Sequence, residues 1–234
     1  MTSYCSRIDW SVSRFEELDS TNRLLMDAAR SGSAAAGEVC VADFQTAGRG
    51  RLGRTWEAPP GSALLCSILL RPGLPAERLH LVTAAVAVAG AQVTGAGIKW
   101  PNDLVVDRPG GTAKLAGVLA EAEPPWVVVG IGLNLTAAPP GAATLAELGD
   151  GRSRDEVLDA LLGALAPLVG DWPTVAKEYR RRCVTLGREV RVELPDAADS
   201  FSGVAADVDD DGHLLVETEV CLKTVAAGDI VHLR

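Results

Sequence analysis

Paired cysteines are missing from this chain. Its five cysteines, Cys5, Cys40, Cys66, Cys183 and Cys221, are odd in number, widely spread and without a C-x-x-C spacing. That argues against a disulfide framework and for reduced thiols in a cytoplasmic protein. Histidine is scarce as well: His80, His213 and His232 stand apart from one another and from any cysteine, which gives a zinc site little support. The spacing suggests neither a Ser-His-Asp nor a Cys-His set. Basic charge is in deficit, 22 Lys and Arg against 31 Asp and Glu for a net −9, so nonspecific binding to DNA, RNA or an anionic membrane is disfavoured. No charged-then-apolar signal opens the chain. The one long uncharged run, toward Ile98 from Leu79, is mostly Ala, Gly, Val and Thr; it reads as a buried helix rather than a membrane span. Internal repeats and low-complexity tails are absent too.

Against that acidic background stands one basic stretch, Gln45-Thr46-Ala47-Gly48-Arg49-Gly50-Arg51-Leu52-Gly53-Arg54-Thr55-Trp56. Glycines free the backbone and arginines supply fixed charge that can grip a phosphate or carboxylate at two points. A loop of this kind suits a small anionic ligand. The letters Gly48-x-Gly50-x-x-Gly53 also match a dinucleotide fingerprint, but that reading needs a helix directly afterwards. Glu57-Ala58-Pro59-Pro60-Gly61 follows instead, and the nicotinamide reading fails.

With 234 residues, 47% of them hydrophobic, the chain has room for one sizeable core and a smaller satellite. A first strand is predicted over 12–18, ending at Asp19-Ser20-Thr21-Asn22 ahead of a helix to about Arg30. An N-cap accounts for one of these polar residues; four in a row leave groups to face a ligand. Strands at 38–44 and 62–70 enter and leave the arginine loop, which is anchored at both ends and free in the middle. Leu74-Pro75-Ala76-Glu77 opens the Ala-rich helix. The strand 98–106 is interrupted by Pro101, a break that turns Asn102 and Asp103 toward a site. A loose hairpin over 107–113 leads into strands at 114–121 and 126–135, where Gly130 and Gly132 fall on one side and clear room beside the sheet. Ser153-Arg154-Asp155-Glu156 is a capping box before a helix to about Leu168, and a further helix runs from Trp172 to about Arg182. From Gly187 the pattern changes to short alternating strands near 188–194, 201–207, 213–219, 220–225 and 230–233, a small β-barrel. Two domains are expected, 1–184 and 185–234.

Four pieces, Ser20-Thr21-Asn22, the run from Gln45 to Trp56, Lys99-Trp100-Pro101-Asn102-Asp103, and Lys114-Leu115-Ala116-Gly117 followed by Gly130-Ile131-Gly132-Leu133-Asn134, resemble the biotin protein ligase family in order and over nearly the whole chain. The ending from Ala227 to Arg234 is similar to the close of that family's C-terminal SH3-like domain. The resemblance implies an α+β fold, a central mixed sheet flanked by helices and related to class II aminoacyl-tRNA synthetases, with a small C-terminal SH3-like β-barrel. It implies activation of biotin by ATP to biotinyl-5′-AMP, then transfer to a lysine of the biotin carboxyl carrier domain of an acyl-CoA carboxylase. By the same resemblance, Ser20, Thr21, Asn22, Gln45 and the backbone of Gly117 hold biotin. Arg49 and Lys114, with Arg51, neutralise the carboxylate and the α-phosphate, and Gly48, Gly50 and Gly132 count among the binding residues. Trp56 stacks near adenine and Asn134 bonds to it. Mg²⁺ is expected on the ATP phosphates, with its protein ligands unassigned; Asp103 is a candidate contributor, balanced against the reading of a turn residue bonding its own backbone.

Only 19 residues precede Ser20, too few for the helix-turn-helix that some family members carry. The expectation is therefore a monofunctional ligase without DNA binding. A lipoate or octanoate ligase, which shares the adenylate logic, and a noncatalytic biotin sensor are the alternatives. Monomer and homodimer both stay open.

Overall fold

The computed structural model describes residues 8–194 and 200–233; Cys5 and Arg234 lie outside them. Seven strands form the first sheet: β1 (Ser11–Leu18), β2 (Glu38–Gln45), β3 (Ala63–Leu70), β4 (Gly97–Lys99), β5 (Asp103–Arg108), β6 (Gly111–Glu123) and β7 (Trp126–Asn134). Their spatial order is β1-β2-β3-β7-β6-β5-β4. The first pair is parallel and every other pair antiparallel, so the sheet is mixed. β3 lies between β2 and β7 and is buried along all of its length, as its unbroken apolar run requires.

Helix α1 (Thr21–Ser31) packs on one face of this sheet, where Leu25, Met26 and Ala29 meet Cys40, Leu69 and Val128. Helix α2 (His80–Thr94) covers the other face, and α3 (Arg154–Leu165) and α4 (Trp172–Arg182) pack over α2. Enclosed between a sheet and two helices, α2 has no exposed residue from Leu81 to Ala91, which explains why its sequence shows no polar stripe there. The capping box at Ser153 and Glu156 is present, with the backbone of each residue bonded by the other's side chain.

A second, antiparallel sheet holds β8 (Glu189–Glu193), β9 (Phe201–Val208), β10 (Leu214–Glu217), β11 (Leu222–Val225) and β12 (Asp229–His232), in the order β11-β10-β9-β8-β12. On β8 the alternation is physical: Val190 and Val192 are buried while Glu189 and Arg191 face water. This sheet is tied to the first part by Trp100 Nε1 donating to Gly212 O (3.0 Å), by Arg180 Nε donating to Val208 O (2.7 Å) and by the Arg78–Asp211 ion pair (2.7 Å).

Several expectations need correction. The hairpin after β5 is tight: Arg108 pairs with Gly111 across Pro109-Gly110, and Gly110, at φ +90, takes the left-handed conformation such a turn demands. Residues 97–106 are two antiparallel strands rather than one broken strand, because the turn at Trp100–Asn102 folds β5 back on β4. A separate one-turn helix at Ala76–Arg78 precedes α2. Val220 lies in a turn that Thr218 closes by bonding Cys221, and is 91% exposed rather than part of a strand.

Candidate active site

The sheet delivers its polar residues to one cavity of about 300 Å³. One end of it is built where α1 begins. Ser20 caps the helix in an extended conformation (φ −159), and Thr21 and Asn22 follow, all three buried despite their polarity. Thr21 N–H donates to Gln45 Oε1 at the end of β2 (2.8 Å), and Asn22 Nδ2 donates to Glu121 Oε2 on β6 (2.9 Å). Asp19 takes the Arg23 guanidinium, which with the Ser20 N–H holds its carboxyl below the usual range.

Between β2 and β3 the arginine segment forms a closed turn. Trp56 N–H donates to Gly48 O (3.0 Å) and Gly50 N–H to Arg54 O (2.7 Å), while Leu52 at φ +54 and Gly53 at φ +72 supply the left-handed corner. Only glycine fits at 48, because a Cβ there would lie 2.3 Å from Trp56 O. The Trp56 ring lies on the sheet where Gly132 leaves space: a Cβ on Gly132 would meet Trp56 Cε2 at 2.3 Å, and one on Gly117 would meet Trp56 Cζ3 at 3.2 Å. Its Nε1 is shielded and has no hydrogen-bond partner among the described residues.

Four of the cations that line the cavity, Arg49, Arg51, Arg54 and Lys114, are held by acids from other parts of the chain. Arg49 Nη2 bonds Glu121 Oε2 (2.9 Å), Lys114 Nζ bonds Asp103 Oδ1 (2.8 Å), and Arg51 Nη1 stands 3.6 Å from Asp229 Oδ1 on β12, which also takes Arg54. Arg51 further donates to Asn102 Oδ1 and Gly228 O, both at 3.2 Å. Lys114 Nζ lies 5.5 Å from the Trp56 ring centroid, a cation-π distance. The fork of Arg51 and the ammonium of Lys114 are therefore held in place, half-neutralised by carboxylates that an incoming anion can replace.

Of the residues singled out in the sequence, Ser20, Thr21, Asn22, Gln45, Arg49, Gly50, Arg51, Trp56, Lys114, Gly117 and Gly132 line this one cavity. Gly48 and Asn134 do not. Gly48 sits at the base of the loop, and Asn134 is 2% exposed, its amide donating to Ala143 O (3.0 Å). Asp103 bonds Lys114 and is neither an isolated turn residue nor part of a metal cluster; among the described residues no group of three or more His, Cys, Asp or Glu could hold a metal ion. Sequence reasoning missed Glu121, Asp229 and Ser67. Glu121 ends an ordinary strand pattern, Asp229 lies on the other sheet, and Ser67 is a single hydroxyl in the apolar run of β3, bonded to both Thr21 Oγ1 and Asn22 Oδ1 at 2.6 Å.

Residues 14–134 match the model of the biotin/lipoate A/B protein ligase family, and residues 185–233 match that of the biotin protein ligase C terminal domain. The biotin–acetyl-CoA-carboxylase ligase of Mycobacterium tuberculosis is 40% identical over 237 residues, covering 92% of this chain and 86% of that protein. The bifunctional ligase/repressor BirA of Escherichia coli is 30% identical over 251 residues, 94% of this chain and 73% of its own length. Among solved structures, the biotin protein ligase from Aquifex aeolicus in complex with biotin and ATP superposes with a TM-score of 0.79 at 29% identity, covering 96% of this chain and 99% of that one.

Proposed function

The chain belongs to the biotin/lipoate A/B protein ligase family, and from that premise we propose that it is an ATP-dependent biotin ligase that makes biotinyl-5′-AMP and transfers the biotinyl group to a lysine of a biotin carboxyl carrier domain. The observation that carries this reading is one cavity in which a polar cluster, buried Ser20, Thr21 and Asn22 with half-buried Gln45, is continuous with the cations Arg49, Arg51 and Lys114. The polar end suits a small uncharged ring with hydrogen-bonding edges. The cationic end suits two anions that must meet.

Adenylation brings a carboxylate against a nucleotide triphosphate. A carboxylate oxygen bonds to the α-phosphorus, the bond from that phosphorus to the bridging oxygen breaks, and pyrophosphate leaves. Such a transfer needs positioning and charge neutralisation more than an enzyme nucleophile. Arg49 and Lys114 neutralise the carboxylate and the α-phosphate, and Arg51 follows the nucleotide. Trp56, lying on the glycines of β6 and β7, offers adenine a stacking face. In the second step the carrier lysine amine attacks the mixed anhydride, AMP leaves, and the amine gives up a proton. Mg²⁺, carried on the ATP phosphates, would supply further charge neutralisation there and would need few protein ligands, since the acids Glu121, Asp229 and Asp103 are already paired to cations.

The same reading treats residues 1–184 as the catalytic domain, akin to class II aminoacyl-tRNA synthetases, and 185–234 as an SH3-like barrel. It places the enzyme in the cytoplasm with no role at DNA. Incubation with biotin, ATP, Mg²⁺ and a carrier domain, followed by mass spectrometry, is expected to add one biotinyl group to a single lysine. An unmodified carrier together with thermal stabilisation by lipoate but not biotin would move the assignment to the lipoate branch of the family.

A further inference from the structure

Five cations line the cavity, and four of them are taken by acids. Lys99 on β4 is the fifth, and its ammonium has no hydrogen-bond or ion-pair partner among the described residues. Its place follows from the register of the sheet. Leu65, Gly132, Gly117, Asp103 and Lys99 are directly opposed, one after another, on β3, β7, β6, β5 and β4, so they form one row on one face, and all of them line the cavity. The polar end lies toward β3, where Ser67 meets Asn22. Trp56 covers Gly132 and Gly117, and Lys114 Nζ reaches over Gly117, 3.0 Å from where a Cβ would stand. Asp103 comes next and gives its carboxylate to Lys114 (2.8 Å) rather than to Lys99 directly opposite it. Lys99 therefore closes the row two strand spacings, about 10 Å, beyond the strand that carries Lys114, with its charge unspent. Arg51, bonded to Asn102 in the turn between β4 and β5, flanks the same end.

That order matters to a displacement at phosphorus, in which the attacking and leaving oxygens stand roughly in line. The carboxylate arrives from the polar end and meets the α-phosphorus near Lys114, so the leaving group points the other way, toward β5 and β4. We propose that Lys99 is a further substrate-binding residue, one that takes the β- and γ-phosphates of ATP and holds pyrophosphate as it forms. This inference rests on the proposed ligase activity, since only a nucleotide triphosphate brings a pyrophosphate leaving group. As the carboxylate oxygen bonds to the α-phosphorus, the electron pair of the breaking P–O bond passes to pyrophosphate. That charge grows within reach of an ammonium that has no acid to give up first. Arg49 and Lys114, by contrast, exchange one anion for another.

The test separates the two half-reactions. In the reverse of the first, biotinyl-5′-AMP and pyrophosphate give ATP and biotin. In the second, biotinyl-5′-AMP and a carrier domain give biotinylated carrier and AMP, and no pyrophosphate takes part. Both are followed in a Mg²⁺ buffer with wild type, with Lys99→Met, which keeps the stem without the charge, and with Lys99→Arg, which restores it. In Lys99→Met the KM for pyrophosphate, and that for ATP in the forward direction, are expected to rise at least about 10-fold, the scale of one hydrogen bond to a charged group. Transfer to the carrier changes by less than about twofold, and Lys99→Arg recovers part of the pyrophosphate KM. An unchanged KM for pyrophosphate would mean that Lys99 does not hold the leaving group, and equal slowing of both half-reactions would mean that it only supports the site; either overturns the proposal. Wild-type protein that forms no ATP from biotinyl-5′-AMP and pyrophosphate and leaves the carrier unmodified would instead overturn the ligase reading, and the role of Lys99 with it. The Lys99 side chain has no partner to strand, so Lys99→Met should melt at the wild-type temperature; should it not fold, Lys99→Gln decides between the same outcomes.

Discussion

Lys114 and Arg49 are the residues on which the chemistry turns, and their surroundings predict how each fails. Lys114 is 42% exposed along its side chain and, among the described residues, is ion-paired with Asp103, which is itself partly exposed, so removing it leaves no fully buried charge unpaired. Lys114→Ala is therefore expected to keep the melting temperature within a few degrees. It should slow pyrophosphate release about 100-fold, the scale of about 3 kcal/mol for a contact made to charge developing in the transition state. A stopped assay over the first turnovers checks this, and near-normal release would show that another group neutralises the phosphate. The cysteines behave in the opposite way: burial pushes the Cys40 thiol up to about 12 and raises Cys66 and Cys183 as well. None of these three is poised as a thiolate, in line with their reading as small hydrophobes.

Among the elements, the arginine segment combines a fixed base with a removable hold. Its ends belong to β2 and β3, while its middle is kept in place by Glu121 and Asp229 through Arg49, Arg51 and Arg54. Arg49 and Arg54 are exposed, so their pairs contribute little each, about 0–1 kcal/mol, and the half-buried Arg51–Asp229 pair is long at 3.6 Å, so the segment opens at modest cost. Residues 46–55 are expected to be cut by trypsin at Arg49, Arg51 or Arg54 in the free protein. Addition of biotin with ATP should protect them, because two anions then bind all of the cations at once. Equal cutting in both states, followed by mass spectrometry of the fragments, would count against the closure. This element also shows what was legible from sequence and what was not. The loop, the capping run at Ser20, the strand glycines and the apolar strands announce themselves through local spacing, which depends on backbone geometry and burial alone. The acids that hold the loop do not, since Glu121 is 72 residues from Arg49 and Asp229 is 175 from Arg54. Nothing local distinguishes them from other surface carboxylates. The tight turn at Pro109-Gly110 was missed because adjacent glycines suggest slack until the register of β5 on β6 is known.

At the scale of the whole molecule, the joint between the two sheets carries a titratable imidazole. His232 on β12 sits 3.1 Å from Thr185 Oγ1, which also accepts the Trp100 N–H, so a neutral ring lets Thr185 donate to it. Burial first, then Lys99 and Arg188, hold its pKa down to about 4. His80, at the start of α2, is also lowered, by burial and by His213, whose ring centroid is 4.9 Å away; Asp209 and Asp211 oppose that shift and Arg78 adds to it. An imidazole in the unfolded chain binds a proton near pH 6.5, whereas folded His232 does so only near pH 4. Between those values the unfolded state holds more protons, so stability rises with pH and is lost as the solution is acidified from 6.5 toward 4. The loss from pH 7 to pH 5 is expected to be about 1 kcal/mol from His232, discounted for a ring that water partly screens. Urea midpoints at the two pH values measure it, and most paired carboxylates are still ionised across that interval. His232→Gln keeps an acceptor for Thr185 but cannot take a proton, so its midpoint should fall less than that of the wild type over the same step. If the two proteins lose the same stability, the His232 imidazole is not the group that responds.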